Sequence, residues 1–361
     1  MNAQAERLIS ADSHIFLSDE HIKGYLSRDV QDAWTQARAA FSADEETLRE
    51  GQPPLQMEDF VDLEAARDPG YFDPAARLQA MDRDQVEAEV LFSEVGGAKL
   101  ARPDLMGVHW QAGLRGFNDA MADFAAHNTR RLLCAYQLPL YDIDFAIQEV
   151  DRLLARDARA VQIPSFPTEF GLPPLSDAYY EPLWARLQEA EIAVMNHLDY
   201  RRFHWDTFRH DPTPQKGIFT AVIATGIQET ICHWILGGTL ARFPGLRVVL
   251  VEPGLGWLPW FLGLLDQRMH EHYEFPGVEL LPSEYFKRQM TATFMHEPEG
   301  LASCYKAFGP ECLMWSTDFP HPATCWPNSQ QQVKDQFAAA GIPAHDRRRI
   351  VCDNAAGAFN L

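Results

Sequence analysis

The chain has 361 residues, of which 46% are hydrophobic and 23% are charged, as in an ordinary soluble globular protein. Its formal net charge of −20 argues against nucleic acid and anionic membranes as partners, because both require a basic surface. The chain contains no run of eighteen uncharged apolar residues, which a transmembrane helix would require, and residues 1–7 show no signal-peptide core. We therefore expect a cytoplasmic location.

The first predicted element is a strand at residues 8–15 that carries Asp12 and His14 near its end. Alternate residues of a strand share one face, so these two side chains point the same way. Residues 16–75 are polar and acidic, which predicts a long insertion with short helices. Apolar strand-like runs and helical patterns then alternate along the chain. The predicted strands cover residues 8–15, 86–92, 132–137, 158–163, 192–197, 246–251, 290–295 and 313–317.

This alternation predicts a parallel sheet with helical crossovers. Eight such units favour a closed (β/α)8 barrel, and no G-x-G-x-x-G motif follows the first strand to support an open nucleotide-binding sheet. We therefore predict an α/β fold of the (β/α)8 TIM-barrel class that forms a single domain over residues 1–361. Residues 16–75 and 198–217 are expected to be insertions at the C-terminal mouth of the barrel.

Ionisable side chains recur where the predicted strands end. They are Asp12, His14, His197, Glu252 and Asp318. The C-terminal strand ends of such a barrel meet at one mouth, so these groups are expected to converge there. Two imidazoles with two or three carboxylates suit one divalent transition metal, with zinc favoured over manganese.

Each of these residues also has a purely structural interpretation. Asp318 precedes Phe-Pro and is a candidate cap for the next segment, His197 is a candidate hydrogen-bonded loop residue, and Glu252 before Pro-Gly is a candidate turn residue. Their coincidence at four predicted strand ends favours the metal site. Four further residues in or near the mouth are candidates for substrate contact: Arg201, His204, Trp257 and His296.

Three segments carry a resemblance to a known family: residues 11–14 (ADSH), 242–259 (RFPGLRVVLVEPGLGWLP) and 316–322 (STDFPHP). The chain resembles the amidohydrolase-2 family of metal-dependent barrels, which includes aminocarboxymuconate-semialdehyde, γ-resorcylate and carboxyvanillate decarboxylases. The resemblance covers residues 8–361 and implies the same (β/α)8 fold. It also implies a metal held by Asp12, His14, His197 and Asp318.

One position departs from the family pattern. Decarboxylases of the family usually carry a catalytic histidine after strand six, where this chain has Glu252. We predict Glu252, Asp318 and His321 as the catalytic residues, the last lying in the loop that begins at Asp318.

The first functional hypothesis is non-oxidative decarboxylation of a small aromatic or unsaturated carboxylic acid. The alternative is a metal-dependent hydrolase of an ester, lactone or amide, which Glu252 makes nearly as plausible. A non-catalytic binding barrel is a third hypothesis, which a missing metal ligand would favour. By resemblance we also expect a homodimer with a small-molecule substrate.

Overall fold

The computed structural model describes residues 6–48, 61–94, 97–199, 201, 204, 210–213, 217–271 and 275–361. Eight parallel strands follow one another in chain order around a nearly closed barrel. The prediction of a (β/α)8 barrel is confirmed. The strands are β1 Leu8–Ile15, β2 Val86–Ser93, β3 Leu132–Gln137, β4 Ala160–Gln162, β5 Ala193–His197, β6 Val248–Val251, β7 Met290–Phe294 and β8 Leu313–Trp315.

The crossovers between these strands are mostly helical. The α-helices among the described residues are Asp19–Lys23, Arg28–Leu48, Leu63–Ala66, Pro74–Asp84, Gly97–Leu100, Pro103–Met106, Trp110–Ala125, Ile143–Leu154, Glu181–Glu189, Gly217–Ile223, Ile227–Ile235, Thr239–Arg242, Leu258–His270, Pro282–Gln289, Pro298–Phe308, Ser329–Ala339, Ala344–Arg348 and Asn354–Ala358. They cover the barrel, so strands such as β6 (VVLV) are apolar and fully buried.

Hydroxyl groups and backbone amides join β1 to the segment that follows β8. The Ser10 hydroxyl accepts a hydrogen bond from the Thr317 amide at 2.8 Å. The Asp318 amide donates to the Asp12 carbonyl at 3.0 Å, and the His14 amide donates to the Phe319 carbonyl at 2.6 Å. This seam therefore fixes the ends of β1 and β8 beside each other.

The first insertion differs from the prediction. Residues 16–75 were expected to hold short helices, yet Arg28–Leu48 is a helix of 21 residues. Val30, Trp34 and Ala37 are buried at helical spacing, and the Trp34 indole donates to Asp19 at 2.9 Å. Residues 49–60 of this insertion, and most of the predicted insertion at 198–217, lie outside the described residues.

One helical stretch among the described residues, Gly217–Ile235, has the length and apolar composition of a membrane-spanning helix. Its second half packs against the barrel, with Ile231 and Trp234 fully buried. The Trp234 indole also donates a hydrogen bond to Asn196 of β5 at 2.8 Å. This packing accounts for the apolar character of the second half, and a single such stretch is weak evidence for a membrane span.

Asp84 is a buried carboxyl group whose ionisation opposes folding. It ends helix Pro74–Asp84 and accepts hydrogen bonds from the Ser329 amide at 2.8 Å and the Ser329 hydroxyl at 2.5 Å. Burial raises the pKa of Asp84 to about 6, although the Ser329 bonds lower it. The unfolded chain ionises first as pH rises, so stability falls between about pH 4 and 6 and stays reduced above that.

Replacing Asp84 with asparagine keeps the shape and removes this charge. We expect Asp84→Asn to raise the free energy of unfolding by about 1–2 kcal/mol at pH 8, with a smaller gain at pH 5. Urea unfolding at both pH values measures the difference. The exposed Asp335→Asn is the control and should change little at either pH. A loss of stability that is larger at pH 8 than at pH 5 would show that the charged form is preferred.

Candidate metal centre

The end of β1 places two of the predicted ligands inside the barrel mouth. Asp12 and His14 are both buried, and their side chains meet although the pairing of β1 with β2 is irregular between Ser10 and Ser13. His14 Nε2 lies 3.5 Å from Asp12 Oδ1 and 3.3 Å from Asp318 Oδ1. Strands β1 and β8 therefore bring an imidazole and two carboxylates together.

The end of β5 adds a second imidazole. His197 Nδ1 lies 3.0 Å from the Leu198 carbonyl, which can only accept, so Nδ1 carries a proton and Nε2 is the nitrogen that offers a lone pair when the ring is neutral. His197 Nε2 lies 3.6 Å from Asp12 Oδ1 and 3.7 Å from Glu252 Oε2. A neutral imidazole in this tautomer is suited to bind a metal through Nε2.

Two carboxylate residues that follow strands have an uncommon backbone conformation. Glu252 after β6 has a φ of 55°, and Asp318 after β8 has a φ of 52°, both in the left-handed region. Residues other than glycine adopt this region at an energetic cost, and such residues cluster at functional sites. The conformation directs both carboxylates to the mouth, where Glu252, Asp318 and His321 offer ligand atoms within 4.8 Å of one another.

His321 connects the cluster to a second carboxylate. Its Nδ1 donates to Asp318 Oδ1 at 2.8 Å, and its Nε2 lies 3.5 Å from Glu94 Oε1. The Tyr71 hydroxyl in turn donates to Glu94 at 2.6 Å. Burial opposes the charge on His321, but the Asp318 carboxylate outweighs it and holds the pKa of His321 well above its usual range.

Buried polar atoms without a hydrogen-bond partner mark where a cation fits. Among the described residues these include both carboxylate oxygens of Asp12, both ring nitrogens of His14 and Nε2 of His197. Leaving such atoms unpaired is costly, whereas ligation of a cation compensates them. The ligand atoms of these three residues lie within 4.8 Å of one another. The donor set fits one divalent metal held by Asp12, His14 and His197, with Asp318 beside them.

The charges of the cluster act on one another. Burial raises the pKa of Glu252, the Asp318 charge raises it further, and the result is about 8. Burial also opposes the charge on Asp318, but His321 outweighs it and holds the pKa of Asp318 below its usual range. Burial lowers the pKa of His197, and the carboxylates of Asp12 and Glu252 raise it to about 9. Glu252 is thus the carboxyl group of the cluster with a raised pKa.

The other predicted site residues follow β5, β6 and β7 in the chain. His204 is buried, and its Nδ1 accepts from the Arg201 amide at 3.0 Å. The Arg201 guanidinium forms ion pairs with Glu169 and Glu229. The Trp257 indole donates to the Pro253 carbonyl at 2.7 Å, and His296 is exposed after β7. Substrate contact by these four residues stays a prediction.

Two residues that support the site were missed from the sequence. Glu94 follows β2, so the strand-end rule applied to β1 and β5 would have found it. Arg77 lies in helix Pro74–Asp84, where it donates to the buried Glu89 at 2.6 Å and to the His14 carbonyl at 3.0 Å. No local pattern marks Arg77, since its partners come from β1 and β2.

An open cleft of about 640 Å³, including the part open to solvent, lies beside His197. Gln137, Gln162 and His197, at the ends of β3, β4 and β5, contribute to its lining. The remaining walls are largely apolar and include Leu138, Leu140, Ile163, Tyr141 and Phe170. A flat organic molecule that reaches His197 would find both apolar walls and a few polar groups here.

The sequence profile of the amidohydrolase family matches residues 11–361. The matched range includes every residue of the cluster described above. It also contains the end of β1 and all of β2 to β8.

Several proteins to which this chain is similar in sequence or structure are decarboxylases. The 2-amino-3-carboxymuconate-6-semialdehyde decarboxylase of Dictyostelium discoideum is 25% identical over 261 residues, which are 71% of this chain and 68% of that protein. The structure of 5-carboxyvanillate decarboxylase from Sphingomonas paucimobilis has a TM-score of 0.71 at 22% identity, covering 99% of this chain and 100% of that one. Dihydroxybenzoic acid decarboxylase from Polaromonas sp. JS666, with bound manganese, has a TM-score of 0.66 at 18% identity, covering 99% and 97%.

Proposed function

Because the chain belongs to the amidohydrolase family, we propose that it is a metal-dependent carboxy-lyase of a small aromatic or unsaturated carboxylic acid. The observation that carries this proposal is the set of buried, unpaired ligand atoms on Asp12, His14 and His197 beside a cleft with apolar walls. The decarboxylase names of the curated relative and of the solved neighbours support it.

The metal would be held by Asp12, His14, His197 and Asp318. When bound, it supplies electrostatic stabilisation for the negative charge that develops on the substrate during carbon–carbon cleavage. A set of two imidazoles and two carboxylates is compatible with zinc and with manganese. We favour zinc, and the manganese in the Polaromonas structure makes manganese the direct alternative.

Glu252 is proposed to deliver the proton that replaces CO2. Cleavage of the bond between the ring and the carboxylate leaves an electron pair on carbon, and a proton from the Glu252 carboxyl group forms the new C–H bond. Burial and the Asp318 charge raise the pKa of Glu252, which favours the protonated acid that this step requires. Solvent then returns a proton to Glu252. His321 holds Asp318 through the 2.8 Å hydrogen bond and keeps it ionised.

The direct test is CO2 release from hydroxylated benzoic acids by the zinc- and manganese-loaded protein. A parallel panel of esters, lactones and amides tests the hydrolase, a second candidate that the Glu252 carboxylate favours. Release of CO2, together with formation of the product in which hydrogen replaces the carboxylate, supports the lyase. Turnover of the esters, lactones or amides alone would show that the protein is a hydrolase and not a lyase. Ligand binding without turnover in either panel would favour a non-catalytic binding barrel.

Glu252→Gln is expected to lower kcat by roughly 10²- to 10⁴-fold, because the amide cannot supply the proton. Metal content should stay at the wild-type level, since the four proposed ligands are unchanged. Plasma mass spectrometry and steady-state kinetics on the same preparation measure both quantities. Glu299→Gln, at an exposed position, is the matched control. A kcat within a few-fold of wild type would assign the proton to another group.

A homodimer is proposed from the family resemblance alone. The exposed Ile218 of helix Gly217–Ile223, a helix without a fully buried residue, is compatible with such an interface. Light scattering of the purified protein tests the proposal, and a monomeric mass at micromolar concentration would overturn it.

A further inference from the structure

The first insertion places a tyrosine beside the metal centre. Tyr71 is 3% exposed, and its hydroxyl donates a hydrogen bond to Glu94 Oε1 at 2.6 Å. The segment around Tyr71 is attached to the barrel mouth on two sides. The Phe16 amide, after β1, donates to the Tyr71 carbonyl at 2.8 Å. The Asp62 amide donates to the carbonyl of Pro320, after β8, at 2.6 Å. The loops that follow β1 and β8 therefore fix the position of the Tyr71 hydroxyl.

Apolar packing holds the ring of the same tyrosine. Tyr71 belongs to a small buried cluster, separate from the main core, that also contains Val61, Ala65, Ala66 and Phe319. Phe319 is the residue that follows Asp318, so this cluster covers the loop after β8. Replacing Tyr71 with phenylalanine keeps the packing and removes only the hydroxyl. The contribution of the hydrogen bond can thus be separated from that of the ring.

Glu94 directs the oxygen that accepts from Tyr71 towards His321. Its Oε1 lies 3.5 Å from His321 Nε2. The other ring nitrogen, His321 Nδ1, donates to Asp318 Oδ1 at 2.8 Å. That carboxylate oxygen in turn lies 3.3 Å from His14 Nε2. A continuous series of polar contacts therefore begins at the Tyr71 hydroxyl and ends at two proposed metal ligands.

A carboxylate that ligates a metal is held in one direction by the groups that hydrogen-bond to it. His321 supplies such a bond to Asp318, and Glu94 faces the opposite nitrogen of the His321 ring, so it limits rotation of that ring. The bond from Tyr71 limits rotation of the Glu94 carboxylate in the same way. Loss of outer partners of this kind typically lowers metal affinity by roughly 10- to 100-fold.

We propose that Tyr71 and Glu94 are positioning residues of the metal centre, which hold Asp318 in the direction of the metal by fixing the ring of His321. This inference rests on the metal site of the proposed function, and it is independent of the reaction that the metal supports. Neither Tyr71 nor Glu94 belongs to the proposed ligand set. The first insertion thus supplies a side chain on which metal binding depends, in addition to its place at the barrel mouth.

The first test removes the hydroxyl alone. Tyr71→Phe should weaken zinc binding by roughly 3- to 10-fold, within the range of one ordinary hydrogen bond. Competition with a chromophoric chelator measures the dissociation constant, and the visible absorption spectrum of the cobalt-loaded protein should differ from that of the wild type. Tyr25→Phe is the matched control, because Tyr25 lies in the same insertion and its hydroxyl also donates to a carboxylate, that of Asp123, at 3.0 Å. Wild-type zinc affinity together with an unchanged cobalt spectrum in Tyr71→Phe overturns the proposal.

The second test uses two replacements of Glu94 with similar size and no charge. Glu94→Met removes the acceptor and should weaken zinc binding by roughly 10- to 100-fold. Glu94→Gln keeps an oxygen that can accept from Tyr71 and His321, so its zinc affinity should lie between those of Glu94→Met and the wild type. Equal losses in the two variants overturn the proposal, because loss of charge alone would then explain both. This pair decides if circular dichroism shows that Tyr71→Phe does not fold.

Measuring CO2 release in the same samples separates this proposal from the proposed function, since zinc affinity and the cobalt spectrum are measured without substrate. Zinc affinity that depends on Tyr71 and Glu94, without any CO2 release, supports the positioning role and contradicts decarboxylation. Release of CO2 by a protein whose zinc affinity is unchanged in the Tyr71 and Glu94 variants does the reverse. Failure of the wild type to bind zinc or cobalt overturns both proposals.

Discussion

His197→Ala is expected to lose the divalent metal and to lower kcat/KM by at least about 10³-fold, because the metal supplies several kcal/mol of stabilisation to developing charge. The variant removes the ring nitrogen that faces Asp12 at 3.6 Å and leaves the Asp12 carboxylate buried with fewer partners. Plasma mass spectrometry of the purified protein, with and without incubation in zinc or manganese, measures the loss.

Asp318→Asn tests the opposite side of the same site. The amide keeps the shape of the side chain but removes the charge that His14 and His321 face. We expect this variant to lose the metal as well. His345→Ala, whose ring is 79% exposed, is the control and should retain it. Wild-type metal content in both site variants would place the metal elsewhere and would remove the basis of the proposed lyase.

Arg77→Met is expected to lower the free energy of unfolding by about 3–5 kcal/mol, since it leaves the buried carboxylate of Glu89 without a cation. Arg77 is 1% exposed, lies 4.3 Å from the Phe319 ring centre and donates to the His14 carbonyl at 3.0 Å. The residue therefore holds together β1, β2 and the segment after β8. Urea unfolding monitored by tryptophan fluorescence measures the change.

A second variant of the same helix separates the buried ion pair from the helix itself. Arg83 pairs with Asp68, but its side chain is 48% exposed, so Arg83→Met should cost less than about 1 kcal/mol. The double variant Arg77→Met, Glu89→Met should recover much of the loss, because no uncompensated charge remains. If the double variant were as unstable as the single one, packing against Phe319 would be the main contribution of Arg77.

Strand positions could be predicted because each strand of a parallel barrel is an apolar run with its own boundaries. The end of β5 at His197 and the sequence after β8 at Asp318 were correctly placed for this reason. The predicted strand at residues 158–163 is longer than Ala160–Gln162, since only the central residues pair with both neighbours. Periodicity identifies a strand, whereas hydrogen bonding to neighbours decides where it ends.

Residues whose roles depend on distant partners could not be predicted. Arg77 and Glu89 are an ordinary helix cation and an ordinary strand carboxylate until the fold brings them together. Lys99 and Arg102 likewise line one cleft with His197 only because the fold brings these distant segments together. The long helix Arg28–Leu48 is a different case. The helical spacing of Val30, Trp34 and Ala37 indicates a buried face, but the many charged residues around them made the segment resemble a polar insertion.

The seam between β1 and β8 determines when the metal centre can exist. Asp12 and Asp318 are separated by almost the whole chain, and the hydrogen bond from the Asp318 amide to the Asp12 carbonyl forms only when both strands are in place. During translation, Asp12, His14 and His197 therefore leave the ribosome long before Asp318 has been synthesised. Contacts of such long sequence separation form late in folding. Metal uptake should accordingly follow completion of the chain, so that cells acquire active protein through loading of the finished barrel and not of nascent fragments.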